Sequence, residues 1–200
     1  MTTRGAQTRA AILRAAISRF GREGFRSTSV ADIARDAGVG GTVAYAYFPN
    51  KEALFLAAVD EDAAALIEEG VTTVLGEAQR VDWRELLIGT LVAALDHHPL
   101  ARRLLAGLEP EVTERVLEIP ALAELRKAVG ERIRSEQLAG TVRADIDPTV
   151  LGNGVVAIML SLLMSVVQVG SNAALTYGQD VAAVFEAALD PPRQVRAPPE

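Results

Sequence analysis

Apolar positions in this chain recur at helical spacing along most of its length, and the runs are cut by glycines and prolines with no alternation of the strand type. In the segment AQTRAAILRAAISRFGREGF, Ile12, Ala16 and Phe20 form one stripe that Gly24 closes. Val30, Ile33, Ala34 and Ala37 then mark the apolar face of a short second helix. Ser29 stands ahead of it as an N-cap, with Asp32 three residues on, close to a capping box. Gly38 stops this helix, since a glycine turns through positive φ without a Cβ clash, and Val39 fills the corner. A further helix, about Gly40 to Tyr47, starts at once and is halted by Pro49, which pushes its predecessor out of the helical region. Residues 29 to 48 thus have the layout of a helix-turn-helix, the motif that lays its second helix in the DNA major groove.

Beyond the motif, helical stretches are expected at about 51–69, 83–97, 99–107, 120–138, 148–169 and 178–190, with breaks at Gly76, Pro99, Pro110, Pro120, Gly140 and Pro148. The fold class is therefore all-α: a three-helix head over 1–52, a larger helical body over 53–190, and a proline-rich tail, 191–200, expected to be disordered. Half of the residues are hydrophobic, enough for a substantial core. The apolar run from Val155 to Val167 is shorter than the roughly 20 residues a bilayer core demands, so a buried helix is expected there and no membrane partner. The amino terminus lacks an apolar signal region, and the absence of cysteine excludes disulfides and thiolate metal sites. A cytoplasmic location is compatible with both observations.

Charge is distributed unevenly. Residues 1–52 hold eight Lys/Arg against four acids, a net of +4, whereas the whole chain is −6, which leaves −10 for the rest. A basic module on an acidic chain is what phosphate neutralisation needs, because the field that matters is local.

The head as a whole resembles the amino-terminal domain of the TetR family of transcriptional regulators. Three elements carry the resemblance over roughly the first quarter of the chain: a helix ending in FGREGF, then STSVADIARDAGV, then YAYFPNKEALF. It implies a double-stranded DNA operator as partner. Ser29, at the start of the first motif helix, suits a phosphate as well as a cap. Where the family usually places polar side chains, this chain has Gly40 and Gly41, which leaves Thr42 and Tyr45 as the leading base readers. Tyr47 and Lys51 are expected to meet the phosphate backbone, and an arm around Arg4 and Arg9 is expected to add grip, the more so because Val43 replaces a common phosphate-binding threonine. Phe48 is expected to seal the head's core.

The same resemblance implies a body that binds a small-molecule effector and dimerises through its last two helices, here about Pro148 to Val169 and Tyr177 to Leu189. A homodimer also suits palindromic half-sites. Candidate cavity walls are Leu87, Leu91, Leu95, Leu104, Leu108, Met159 and Leu163, which favour an apolar effector; Trp83 and Tyr177 are the main aromatic exceptions. No cofactor is implied. His97 and His98 point about 100° apart on a helix and read as a polar helix end before Pro99, not as metal ligands. No Ser-His-Asp set, phosphate-binding glycine loop or HExxH motif is present, so no catalytic residue is assigned. The expected function is a repressor released from its operator by a small apolar effector. The alternative is a helical dimer whose head serves a protein-interaction or structural role, which Gly40 and Gly41 keep open.

Overall fold

A computed structural model describes residues 4–77, 83–112, 118–170, 180–181 and 183–190. Among these residues every regular element is helical. They divide into two compact units, Met1–Ala123 and Glu124–Glu200.

In the first unit, α1 (Arg4–Ser27) carries Ile12, Leu13, Ala16 and Phe20 on its buried face. It continues past the expected stop, although Gly24 interrupts it with non-helical φ 82 and ψ 169. Arg4 and Arg9 are consequently helical, and the arm expected around them is the first turns of α1. Ser29 caps α2 (Val30–Asp36), accepting from the Asp32 N–H at 3.1 Å. Gly38 makes the turn at φ 70, and α3 (Gly41–Tyr47) follows with Gly40 at its N-cap.

The long helix α4 (Lys51–Glu77) runs well past residue 69, straight through Gly70. That glycine is a point of close packing: a Cβ there would lie 2.6 Å from Cδ2 of Leu91 on α5 (Trp83–Ala94). A short α6 (Pro99–Leu105) ends in a glycine turn, with Gly107 at φ 71 and the Leu108 N–H reaching back to the Arg103 carbonyl at 3.3 Å. The chain then enters a single 3₁₀ turn, Pro110–Val112.

The domain boundary expected at residue 52 falls inside this first unit. Phe55 of α4 packs edge-on against Phe20 at 4.9 Å and lies 5.0 Å from Phe25, so the head and the helix after it share one aromatic core.

Most of α7 (Pro120–Leu138) belongs to the second unit, with α8 (Pro148–Val169) and a last helical stretch, 183–189. Asp147 caps α8, accepting from the Thr149 N–H at 2.7 Å and the Val150 N–H at 3.1 Å. Gly152 and Gly130 let α7 and α8 touch backbone to backbone, since a Cβ on Gly152 would lie 2.8 Å from the Gly130 nitrogen. Phe185 and Leu189 of the last stretch are buried, and the Leu189 carbonyl accepts from the Arg143 N–H at 2.8 Å. By length and apolarity α8 is able to cross a membrane; its buried face is Val155, Val156, Met159, Leu162, Leu163 and Val166, and its exposed face includes Asn153 and Ser161. Tyr177 and the tail 191–200 lie outside the described residues.

Candidate nucleic-acid interface

The head is built so that one short helix is held out on a braced frame. Ile12, Ala16, Phe20, Ile33, Ala44 and Phe48 are buried beneath it. Arg19 of α1 grips the end of α2 through a paired interaction with Asp36, Nε to Oδ2 at 2.6 Å and Nη2 to Oδ1 at 3.1 Å, and its Nη1 also meets Glu23. This pairing holds the Asp36 carboxyl below the usual carboxylate range and the guanidinium above its own. Asp32 is lowered in the same direction, first by the Ser29 hydroxyl, which donates to it at 2.6 Å, and then by Arg35. Arg19 is thus a structural brace and Ser29 a working cap, whereas the cap at Asn50, which serves α4 by accepting from the Ala53 N–H at 2.7 Å, was missed in the sequence.

On that frame α3 buries only Ala44. Thr42, Val43, Tyr45 and Ala46 face outward, with Tyr45 at 53% exposure. A Cβ on Gly41 would meet nothing within 4 Å, and Gly40 has an ordinary φ of −70, so packing requires neither glycine. They leave the entrance to the helix bare. Tyr47 is half-buried, its hydroxyl near Gly5 at the start of α1. The Lys51 ammonium sits 4.4 Å from the Phe25 ring centroid and the Arg9 guanidinium 5.2 Å from that of Phe48. Both cations therefore lie over aromatic rings of the head, and Ser29 and Arg4 are exposed.

Of the expected body residues, Leu87, Leu91, Leu95 and Leu104 are buried in the first unit, and Met159 and Leu163 are buried in the second. Leu108 is 56% exposed, because the Gly107 turn swings it out beyond the end of α6; it is no cavity wall. A groove of about 640 Å³ runs between α4 and α5 and is lined by Glu68, Glu69, Thr72, Thr90 and His97 with three alanines. None of the leucines expected as cavity walls lines this groove.

Burial corrects the reading of the histidine pair. His97 is exposed, but His98 is 5% exposed, with Nδ1 2.9 Å from Oδ1 of Asp62 and Nε2 3.4 Å from Oε1 of Glu69. The other Asp62 oxygen accepts from the N–H groups of Leu100 and Ala101 at 3.0 and 2.8 Å, so this α4 carboxylate caps α6 from a distance. A signal did exist: Asp62 falls on the same face as Phe55, Ala58 and Leu66, a carboxylate in an apolar stripe. Among the described residues no group of three or more His, Cys, Asp or Glu side chains is placed to hold a metal ion.

Known proteins agree with this geometry. Residues 12–58 match the family described as bacterial regulatory proteins, tetR family. Over 156 residues the chain is 26% identical to the uncharacterized HTH-type transcriptional regulator YdgC of Bacillus subtilis (strain 168), covering 74% of each. Among solved structures, a TetR-family transcriptional regulator from Pectobacterium atrosepticum superposes with a TM-score of 0.68 at 22% identity, over 96% of this chain and all of that one. The repressor FadR of Thermus thermophilus, solved in complex with lauroyl-CoA, superposes with a TM-score of 0.65 at 22% identity, over 96% of this chain and 100% of that one. At these identities the structures speak for the fold alone. Family match, helix-turn-helix and outward-facing α3 together mark this chain as a DNA-binding transcriptional regulator whose head, residues 12–58, is of the TetR type.

Proposed function

We propose that this regulator is a homodimeric repressor that reads a palindromic operator through α3 and leaves it when a small apolar molecule occupies the body. The observation that carries the DNA reading is the outward face of α3, where Thr42 and Tyr45 stand clear on a frame fixed by the Arg19–Asp36 pair. A hydroxyl with a methyl group and a phenol suit base edges in the major groove. Tyr47, Lys51, Arg4, Arg9 and Ser29 are assigned to the phosphate backbone. Lys51 and Arg9 reach it only by extending past the rings they now cover.

Dimerisation is supported by the exposed side of α8, where Gly154, Ala157, Ile158 and Ser161 form a flat, weakly polar strip, with Val184 exposed on the last helical stretch of the same unit. Such a surface fits close helix packing against a second copy. Leu163 is buried in its own chain, so Ile158→Glu is the informative variant, and it is expected to convert dimer to monomer in sedimentation without loss of helix content. An unchanged dimer places the interface elsewhere.

For the effector, the apolar wall is assigned to Leu87, Leu91 and Leu104. FadR's acyl-CoA ligand makes apolar molecules reasonable first probes. The site of action is the cytoplasm, where the operator is. Binding to the DNA flanking the chain's own gene, followed over a salt series with and without medium-chain acyl compounds, tests the whole reading. A steep salt dependence on one palindrome, with release on adding a compound, is the expected result. Indifference between that duplex and a scrambled one sinks it.

A further inference from the structure

The segment after α6 sends one carboxylate back into the head. Glu109 is only 9% exposed, and its Oε1 accepts from Arg103 Nε at 2.6 Å and from the backbone N–H of Phe25 at 3.1 Å. That N–H needs an acceptor from outside, because Gly24, at φ 82 and ψ 169, turns the next amide off the ladder of α1. The positive φ at this hinge also favours a glycine. A Cβ on Gly24 would lie 2.8 Å from the same Glu109 oxygen, and one on Gly21, a turn earlier, would lie 2.7 Å from Cβ of Pro99 at the start of α6.

Several contacts that orient the head start at this peptide, beside the Arg19–Asp36 brace. Phe25 stacks at 6.2 Å on Phe20 and lies beneath the Lys51 ammonium; Thr28 donates from Oγ1 to the Gly24 carbonyl at 2.8 Å; Ser29 then opens α2. At its other end α6 is held by Asp62 of α4. The short helix is thus tied to the long helix at its start and to the hinge of the DNA-binding head just past its end.

We infer that Glu109, aimed by Arg103, is a positioning residue for DNA binding: it latches the Gly24–Phe25 hinge to the end of α6 and so helps to set the angle at which α2 and α3 are presented. Removing one partner of a buried ion pair leaves the other uncompensated, and an apolar side chain would fill the space without engaging the Phe25 amide. The inference rests on the DNA reading proposed for α3 and adds to it a residue that touches no DNA.

The test uses the full-length chain and a duplex that the wild type itself selects from a random library. Glu109→Ala is expected to weaken binding roughly tenfold or more at every salt concentration, leaving the salt slope unchanged, since every cation that meets a phosphate stays in place. Amide exchange across residues 25–29 should rise in parallel. Glu109→Gln keeps an Oε1 acceptor for Phe25 and is expected to recover most of the affinity, whereas Arg102→Ala, which breaks an exposed pair between α6 and Asp96 in the turn before it, should stay within about twofold of wild type. If Glu109→Ala does not fold, Arg103→Ala decides, with weakened binding expected at an unchanged slope. Wild-type affinity in a folded Glu109→Ala or Arg103→Ala chain overturns the latch, as does a flattened salt slope. A wild type that selects no duplex overturns the DNA reading itself and the latch with it.

Discussion

Two helices in the first unit solve the same problem in opposite ways. The free N–H groups at the start of α2 are served by Ser29, the residue next to the helix, while those of α6 are served by Asp62, a carboxylate reaching over from α4. A local cap makes a helix start autonomous, so the start of α2 is fixed wherever the head goes. A distant cap makes the helix start conditional on the packing of another element. The DNA-facing part of the molecule is specified by its own neighbours, and α6, which touches the head hinge, is specified by the rest of the unit.

The sharpest way to break this contrast is to remove the distant cap. Asp62→Ala leaves two buried N–H groups without an acceptor, at about 1–3 kcal/mol each, and deprives His98 of its Nδ1 partner, so a loss of about 2–5 kcal/mol is expected in urea unfolding. Asp62→Asn keeps the acceptor for Leu100 and Ala101 and should recover part of it. A loss below about 1 kcal/mol for the alanine variant would show that water replaces the carboxylate and that the start of α6 does not depend on α4.

Next in size are the outward residues of α3. Thr42→Ala or Tyr45→Ala is expected to cost about 1–3 kcal/mol in operator binding for each base interaction removed, with less discrimination against scrambled DNA and little change in unfolding. Lys51→Ala should weaken all sequences alike and flatten the salt slope by about one unit per head. Because the ammonium also lies over Phe25, a loss of about 0.5–1 kcal/mol in stability should accompany it. A stability loss with no change in slope would reassign Lys51 to the head's core.

The local cap comes below these. Ser29→Ala should cost about 1 kcal/mol, and Ser29→Asp should recover most of it, because a carboxylate serves the N-terminus of α2 as well as a hydroxyl does. If Ser29→Ala costs as much as Asp62→Ala, the start of α2 is not locally specified.

The same contrast governs what was legible beforehand. The cap at Ser29, the Gly38 turn and the stripe from Ile12 to Phe20 all depend on spacings of a few residues, and the structure keeps each of them. Three features were hidden by distance along the chain. The helix expected to end near residue 69 runs on through Gly70, which packs against Leu91, and Leu108, expected as a cavity wall, is carried out by the turn at Gly107. His98 looked like a surface histidine and is the buried partner of Asp62. For the DNA site, which helix faces outward was legible. That Lys51 and Arg9 spend their charge over Phe25 and Phe48 was not, because cation–ring pairs leave no mark in spacing.

The smallest effect, and the one that separates the two regions by pH, concerns the acids of the head. Asp36 is held below the usual carboxylate range by Arg19, and Asp32 by Ser29 and Arg35. A carboxyl depressed in the folded state releases its proton more readily there than in the unfolded chain, so its contribution is present in full above the unfolded value of about 3.9 and disappears as the pH falls through the folded one. Both carboxylates remain about one-third exposed, so the contribution is small and screened by salt. Amide exchange in α2 should therefore be independent of pH, once corrected for intrinsic rates, from about 7 down to about 5, with protection lost only below about 4. Asp36→Asn should remove part of that acid step and make α2 somewhat less protected at neutral pH, since the amide neither carries the charge nor satisfies both nitrogens of Arg19. An acid step that survives unchanged in Asp36→Asn would mean that the Arg19 brace does not set the end of α2, and that the frame of the head is held by its apolar core alone.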